Sequence, residues 1–215
     1  MGSIMPQAWR SARRAFVTLA FLLFASSALA AAPAPRTVLV FGDSLSAGYG
    51  LEPGQDWPAL LGERLADDAP GWRVVNASVS GETTAGGLSR IDRALAEHKP
   101  GLVIVELGAN DGLRGLPLDL AQRNLEAIVA KAQAAGAKVL LLGVQIPPNY
   151  GPEYTQAFIA MFAAVASARK SALVPFFLEP IATARENFQE DDLHPVAATQ
   201  PTLVDFLWPE IAKLL

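Results

Sequence analysis

Apolar residues along this chain fall into two alternating patterns. Short β-branched runs are followed by longer stretches in which apolar residues recur at helical spacing. Thr37–Phe41 (TVLVF) is a continuous apolar run that stops at Gly42, which predicts a buried strand. Trp57–Asp67 has helical spacing, and Trp72–Ala77 reads as a second strand. Thr83–His98 predicts a helix, with Leu88, Ile91 and Leu95 on one face and Pro100 just past its end. Leu102–Leu107 is a strand, Leu118–Ala135 a helix halted by Gly136, and Lys138–Val144 a further strand. Glu153–Arg169 turns Phe158, Met161, Phe162 and Val165 inward as a helix. Leu173–Phe177 is a fifth strand, and Thr199–Leu214 is the closing helix.

Five apolar strands separated by amphipathic helices imply an α/β fold, a parallel sheet covered on both faces. No linker-like stretch divides it. In open sheets of this kind ligands sit at the carboxyl ends of the strands. The loops after strands one, two, three and five are therefore where chemistry is expected.

The first thirty residues break the pattern. Arg10, Arg13 and Arg14 precede the apolar stretch Ala15–Ala30, which ends in Ala28-Leu29-Ala30. A basic start, an apolar core and a small-residue A-x-A end predict a secretory signal peptide over residues 1–30, cleaved from a single domain over residues 31–215. A membrane anchor is the competing reading, but a span needs about 20 apolar residues. Arg13-Arg14 partly fits a twin-arginine signal, although the rest of that motif is missing. The expected location is periplasmic or secreted, with no stable membrane anchor.

Composition narrows the function. The chain of 215 residues has a net charge of −4, and removal of the signal would leave 14 basic and 21 acidic side chains, or −7. With no basic run, no nucleic-acid partner is expected. Cysteine is absent, which excludes disulfides, a thiolate nucleophile and cysteine zinc sites. His98 and His194 are the two histidines, too few for a His-rich transition-metal site. No cofactor and no metal are expected.

A serine hydrolase remains compatible with what the strand ends carry: Gly42-Asp43-Ser44-Leu45-Ser46, Asn76-Ala77-Ser78-Val79-Ser80-Gly81, Gly108-Ala109-Asn110-Asp111 and Asp191-Asp192-Leu193-His194-Pro195. A serine nucleophile needs an imidazole to take its proton. His98 ends a helix, where a cation complements the dipole. His194 lies in a loop three residues after Asp191, and that spacing in a turn can bring a carboxylate to one ring nitrogen. Asp191 could equally cap a helix near Pro195. Ser44 holds the best strand-end position, while Ser46 and Ser80 read as turn residues. Gly81 can offer a bare backbone N–H and Asn110 a side-chain amide, the donors an oxyanion hole needs; each also fits an ordinary turn. Asp43 reads as a loop-bonding residue. Asn76-Ala77-Ser78 matches a glycosylation sequon but falls at an expected buried strand end. Trp57, Phe158 and Phe162 read as core.

GDSLSAGYG, Gly81 in SVSGETT, GANDG and DDLHP resemble, in order, the four conserved blocks of the SGNH hydrolases, also called the GDSL family. The resemblance runs from about Val38 to Trp208 and looks closest to a bacterial periplasmic branch with acyl-CoA thioesterase, lysophospholipase and arylesterase activity. It implies a three-layer α/β/α sandwich with a flavodoxin-like strand order 2-1-3-4-5. It implies Ser44 as nucleophile, His194 as base and Asp191 as its orienter. It implies an oxyanion hole from the backbones of Ser44 and Gly81 and the side chain of Asn110. One departure is Ala109, where relatives often carry glycine.

The expected function is hydrolysis of small-molecule acyl esters and thioesters, including aryl esters, acyl-CoA and lysophospholipids, by a monomer. The apolar loop Val144–Tyr150, with Leu113–Leu118 and Phe176-Phe177 nearby, favours an acyl chain as ligand. Ile146, Pro147, Tyr150 and Leu113 are the candidate substrate-binding residues. A carbohydrate O-deacetylase of the same family is the first alternative. A non-catalytic flavodoxin-like binding module is the second, although such a module has no need of Asp191 and His194, and the chain lacks a phosphate-binding loop.

Overall fold

Five parallel strands form one sheet in the order β2-β1-β3-β4-β5: β1 (Arg36–Gly42), β2 (Trp72–Asn76), β3 (Leu102–Glu106), β4 (Lys138–Leu142) and β5 (Ala172–Val174). The structure is a computed structural model and describes Met1 and residues 36–215. The expected signal peptide lies, Met1 apart, outside the described residues. Helices α1 (Trp57–Asp68), α2 (Thr84–His98), α3 (Ala109–Leu113), α4 (Leu118–Ala134), α5 (Pro152–Arg169) and α6 (Gln200–Ala212) complete the fold. Among the described residues, no helix is long and apolar enough to cross a membrane.

The strand order fixes the layers. The β1-to-β2 connection runs one way along the sheet, and the later connections run the other way. Right-handed crossovers then put α1 on one face and α2, α4 and α5 on the opposite face. Contacts agree: α1 packs on β2 and α6, whereas α4 packs between α2 and α5. The sense of connection reverses between β1 and β3, which is the crevice where such sheets bind ligands. Val38–Phe41 and Leu102–Val105 are fully buried there, so β1 and β3 form a rigid base for whatever their ends carry. Trp57, Phe158 and Phe162 are likewise buried in the core.

Local signals set the helix starts. Asp56 accepts from the Ala59 N–H at 3.0 Å ahead of α1, with Pro58 in the first turn. Thr83 caps α2 through the Gly86 N–H. Two elements depart from the sequence pattern. The fifth strand ends at Val174 instead of Phe177, because Pro175 has no N–H to give the ladder. The chain continues that edge with irregular bonds, Gly143 N–H to the Val174 carbonyl at 2.8 Å and Phe177 N–H to the Gly143 carbonyl at 3.0 Å. The GANDG segment, read as loop, is the short helix α3. Asp111 anchors it, accepting from the Thr84 N–H at 2.8 Å and the Thr84 hydroxyl at 2.6 Å. Asn76 is also exposed, contrary to the expected buried strand end, since β2 lies at the sheet edge. Its amide donates to the Ser46 carbonyl at 2.7 Å.

Candidate active site

The chain leaves β1 at Gly42 and enters a tight turn that presents Ser44. The turn is closed by Asp43, whose carboxylate accepts from the Leu45 N–H at 3.1 Å. Arg90 of α2 braces the strand ends, donating to the Ala77 carbonyl at 2.6 Å while its guanidinium lies 3.9 Å over the Phe41 ring. Ser44 is thus held at the end of an interior strand whose residues Val38–Phe41 are fully buried.

His194 arrives from the other end of the sequence. The segment between β5 and α6 doubles back on itself, with the Gln189 N–H on the His194 carbonyl at 2.8 Å and the Val196 N–H on the Asn187 carbonyl at 2.9 Å. The Gln189 amide also donates to the Tyr49 carbonyl at 2.8 Å, which ties this segment to the Ser44 turn. The Tyr49 ring lies 4.4 Å from the imidazole. His194 Nε2 consequently sits 2.8 Å from Ser44 Oγ, across 150 residues of sequence.

Asp191 completes the line. Its Oδ2 is 2.6 Å from His194 Nδ1, and its Oδ1 accepts the backbone N–H groups of Leu193 and His194, each at 3.0 Å. Burial works to raise its pKa, but the backbone and imidazole donors outweigh it and hold the carboxyl at about 2. An anion facing Nδ1 requires the proton there, leaving the Nε2 lone pair for the Ser44 O–H. Asp192 adopts a left-handed backbone (φ 60°) and pairs with Arg185 instead.

Asn110 shares a cavity wall with Ser44, and Arg114 Nη2 links the Gly81 carbonyl to the Asn110 oxygen. Asn110 Nδ2 donates one hydrogen to Asp43 Oδ2 at 3.1 Å, and its second hydrogen has no acceptor among the described residues. Gly81 has φ +78°, a conformation that side chains disfavour. Its carbonyl accepts from Arg114 at 3.0 Å. Among the described residues, the N–H groups of Ser44 and Gly81 have no acceptor. Ser44, Gly81, Asn110, Asp191 and His194 thus converge at the β1–β3 crevice. Ser46 is fully buried and gives its hydroxyl to Glu106 at 2.8 Å, and His98 lies at the far end of α2.

A cavity of about 170 Å³ opens beside Ser44, lined largely by Leu45, Ala109, Leu113, Ile146, Leu178 and Leu193. Leu113 and Ile146, expected from the sequence, line it. Pro147 and Tyr150 do not. Tyr150 lies in a separate surface cleft with Tyr154, and its hydroxyl donates to the Leu113 carbonyl at 2.8 Å. It therefore touches the cavity wall from outside. Leu45 and Leu193, each next in sequence to a site residue, escape the sequence reading, as do Gln189, Arg90 and Arg114. Adjacency to Ser44 and His194 is the signal that marks Leu45 and Leu193. The other three carry no motif that marks them.

Residues 40–200 match the model of the GDSL-like Lipase/Acylhydrolase family. The chain is 54% identical over 182 residues to Esterase TesA of Pseudomonas aeruginosa, covering 85% of this chain and 90% of that protein. A crystal structure of TesA superposes with a TM-score of 0.81 at 54% identity, covering 84% of this chain and 100% of the other. An arylesterase of Vibrio mimicus is 40% identical over 186 residues, with 86% and 93% covered. Thioesterase 1/protease 1/lysophospholipase L1 of Escherichia coli K12 is 39% identical over 184 residues, with 86% and 87% covered.

Proposed function

This chain is a hydrolase that belongs to the GDSL-like lipase/acylhydrolase family, and from that premise we propose that it cleaves acyl esters and thioesters through an acyl-enzyme on Ser44. The observation that carries the reading is the unbroken line Ser44 Oγ, His194, Asp191 at 2.8 and 2.6 Å. In this reading Ser44 Oγ attacks the acyl carbonyl while its proton passes to His194 Nε2. The ionised Asp191 stabilises the imidazolium that results. The carbonyl oxygen becomes an oxyanion facing the free N–H groups of Ser44 and Gly81 and the spare Asn110 hydrogen. His194 then protonates the departing alcohol or thiol. Water, deprotonated by His194, releases the acid and restores Ser44. The roles need no metal and no cofactor.

The apolar lining makes the acyl group the part recognised, with the leaving group read loosely in solvent. Aryl esters, acyl-CoA and lysophospholipids then share one site. Residues 1–30 would direct the chain to the periplasm or beyond, where a monomer acts. The cavity of about 170 Å³ is finite, so the gain from a longer chain stops once it is filled. Burying each methylene adds about 0.8 kcal/mol, or up to fourfold in kcat/KM. Activity on a series of p-nitrophenyl esters should therefore climb from acetyl to medium chains and then level. A fluorophosphonate should label Ser44. Labelling of another serine overturns the nucleophile. Acetyl esters as best substrates overturn the acyl cavity in favour of a carbohydrate O-deacetylase.

A further inference from the structure

Two carboxyl groups lie beneath the Ser44 turn and take no direct part in the reaction above. Asp43 and Glu106 are both fully buried. Each Asp43 oxygen already receives an N–H: Oδ1 from Leu45 and Oδ2 from Asn110, both at 3.1 Å. Glu106 Oε2 receives the Ser46 hydroxyl at 2.8 Å and the Asp43 N–H at 3.3 Å. Glu106 Oε1 is buried and, among the described residues, receives no donor. The Asp43 backbone N–H, shared between Glu106 Oε2 at 3.3 Å and the Glu106 carbonyl at 3.1 Å, sets the two acids side by side. A hydrogen bond between two carboxyl groups requires that one of them carry a proton. Gly42 makes room for the arrangement, since a Cβ there would lie 2.8 Å from Glu106 Oε2 and 2.9 Å from Ser46 Oγ.

We propose that Glu106 is a carboxylic acid held protonated inside the fold, that it donates to Asp43, and that Asp43, kept anionic, is a positioning residue for the oxyanion donor Asn110. The part concerning Asn110 rests on the Ser44 reading given above. The proton belongs on Glu106 because, of the two, only Glu106 has an oxygen without a donor among the described residues. A proton on Asp43 would weaken the oxygen that carries it as an acceptor for its N–H. The electrostatics run the same way. Burial raises both groups, and the nearby Asp43 charge drives Glu106 well above the ordinary carboxyl range. Against burial, the Leu45 N–H and the Asn110 amide pull Asp43 back to about 6.

The anion matters because an amide has two faces. Asn110 turns its nitrogen to Asp43, and its oxygen lies 3.5 Å from Arg114 Nη2. A half-turn of the amide would set its oxygen against a carboxylate and put an acceptor where the oxyanion forms. A neutral acid at position 43 could donate as well as accept, and the selection would be lost. An asparagine there accepts on one oxygen only, so Leu45 or Asn110 loses its partner.

Infrared spectroscopy and two isosteric variants test the proposal. The wild type at neutral pH should show the C=O stretch of a buried protonated carboxyl, and Glu106→Gln should abolish it. The new amide in Glu106→Gln mimics the protonated acid, so kcat on p-nitrophenyl esters should stay within about threefold of wild type. Asp43→Asn should lower kcat by about tenfold to a hundredfold with KM nearly unchanged, short of the roughly 10²–10³ that losing a whole oxyanion donor costs. The proposal is overturned if the wild type lacks the band or Glu106→Gln retains it. It is also overturned if both variants lose equal activity, or if the Asp43→Asn loss lies in KM. The infrared readout needs neither substrate nor a folded Asp43 variant. It stands even if the wild type hydrolyses no ester, a result that would sink the functional reading alone.

Discussion

Asp191 and Asp43 flank the same serine–imidazole pair, yet their carboxyl groups are driven in opposite directions. Asp191 stands at the rim, with its side chain 37% exposed. Burial opposes ionisation there, but two backbone donors and the imidazole together outweigh it, and its pKa falls to about 2. Asp43 lies under the turn at 0% exposure, with Glu106 against it, and burial lifts it to about 6 despite its two N–H partners. Residue type decided neither value. The balance of solvent against donor count did. The rim carboxylate is ionised at any working pH and gives His194 a permanent acceptor. The buried pair holds a proton at neutral pH and acts only through what it orients.

That contrast can be tested first by removing the reacting atom alone. Ser44→Ala leaves both carboxyl sites in place, so activity should fall by about 10⁶ while Tm barely moves. A large drop in Tm would show that the hydroxyl holds the fold together. The rim comes next. Asp191→Asn should cost up to about 10⁴ in kcat, by presenting an N–H to a nitrogen that needs an acceptor. Asp192→Asn should stay near wild type, because that side chain faces Arg185. Equal losses in the two variants would undo the assignment.

In the proposed mechanism Asn110 joins the buried side to the chemistry. Asn110→Ala should lower kcat by about 10²–10³ with KM little changed, since the oxyanion exists mainly in the transition state. A rise in KM at constant kcat would mean that Asn110 binds the ground state. The smallest effect is on stability. The folded pKa of Glu106 lies above its ordinary 4.5, so its contribution is most favourable below that pH and is lost as pH rises toward the folded value. Glu106→Gln does not titrate. The Tm of the variant minus that of wild type should therefore grow between about pH 5 and pH 8. Asp191 runs the other way: its contribution is present above about 4 and lost as pH falls toward 2. A Tm difference for Glu106→Gln that is flat with pH would mean that the buried pair holds no proton.

Much of this is legible in the sequence. The period of apolar residues places every strand and long helix to within three residues at each end, because buried parallel strands and amphipathic helices bury different faces. It fails at Phe177, where a missing N–H at Pro175 outweighs an apolar run, and at GANDG, where Asp111 staples a loop into a turn of helix. Ser44, Gly81, Asn110, Asp191 and His194 are legible because four blocks at strand ends occur in order and resemble one family, whereas each residue alone fits an ordinary turn or cap. Asp191 and His194 are readable as a pair because three residues in one turn put both side chains together. Pro147 and Tyr150 stand out for apolar character in the right loop. Only the path of that loop turns Tyr150 outward to the Leu113 carbonyl.

Local sequence settles the elements, their alternation and the residue types at each strand end, because these depend on periodicity and on the backbone freedom of Gly and Pro. What those residues are to one another emerges only in the folded chain. His194 meets Ser44 across 150 positions in a fold where Gln189 on the Tyr49 carbonyl and the Tyr49 ring on the imidazole tie the two loops together. Glu106, an ordinary acid in the run LVIVEL, becomes a buried proton holder only because Asp43, Ser46 and Gly42 close around it. A pKa depends on the solvent removed and the donors supplied, and both come from chain segments far away in sequence.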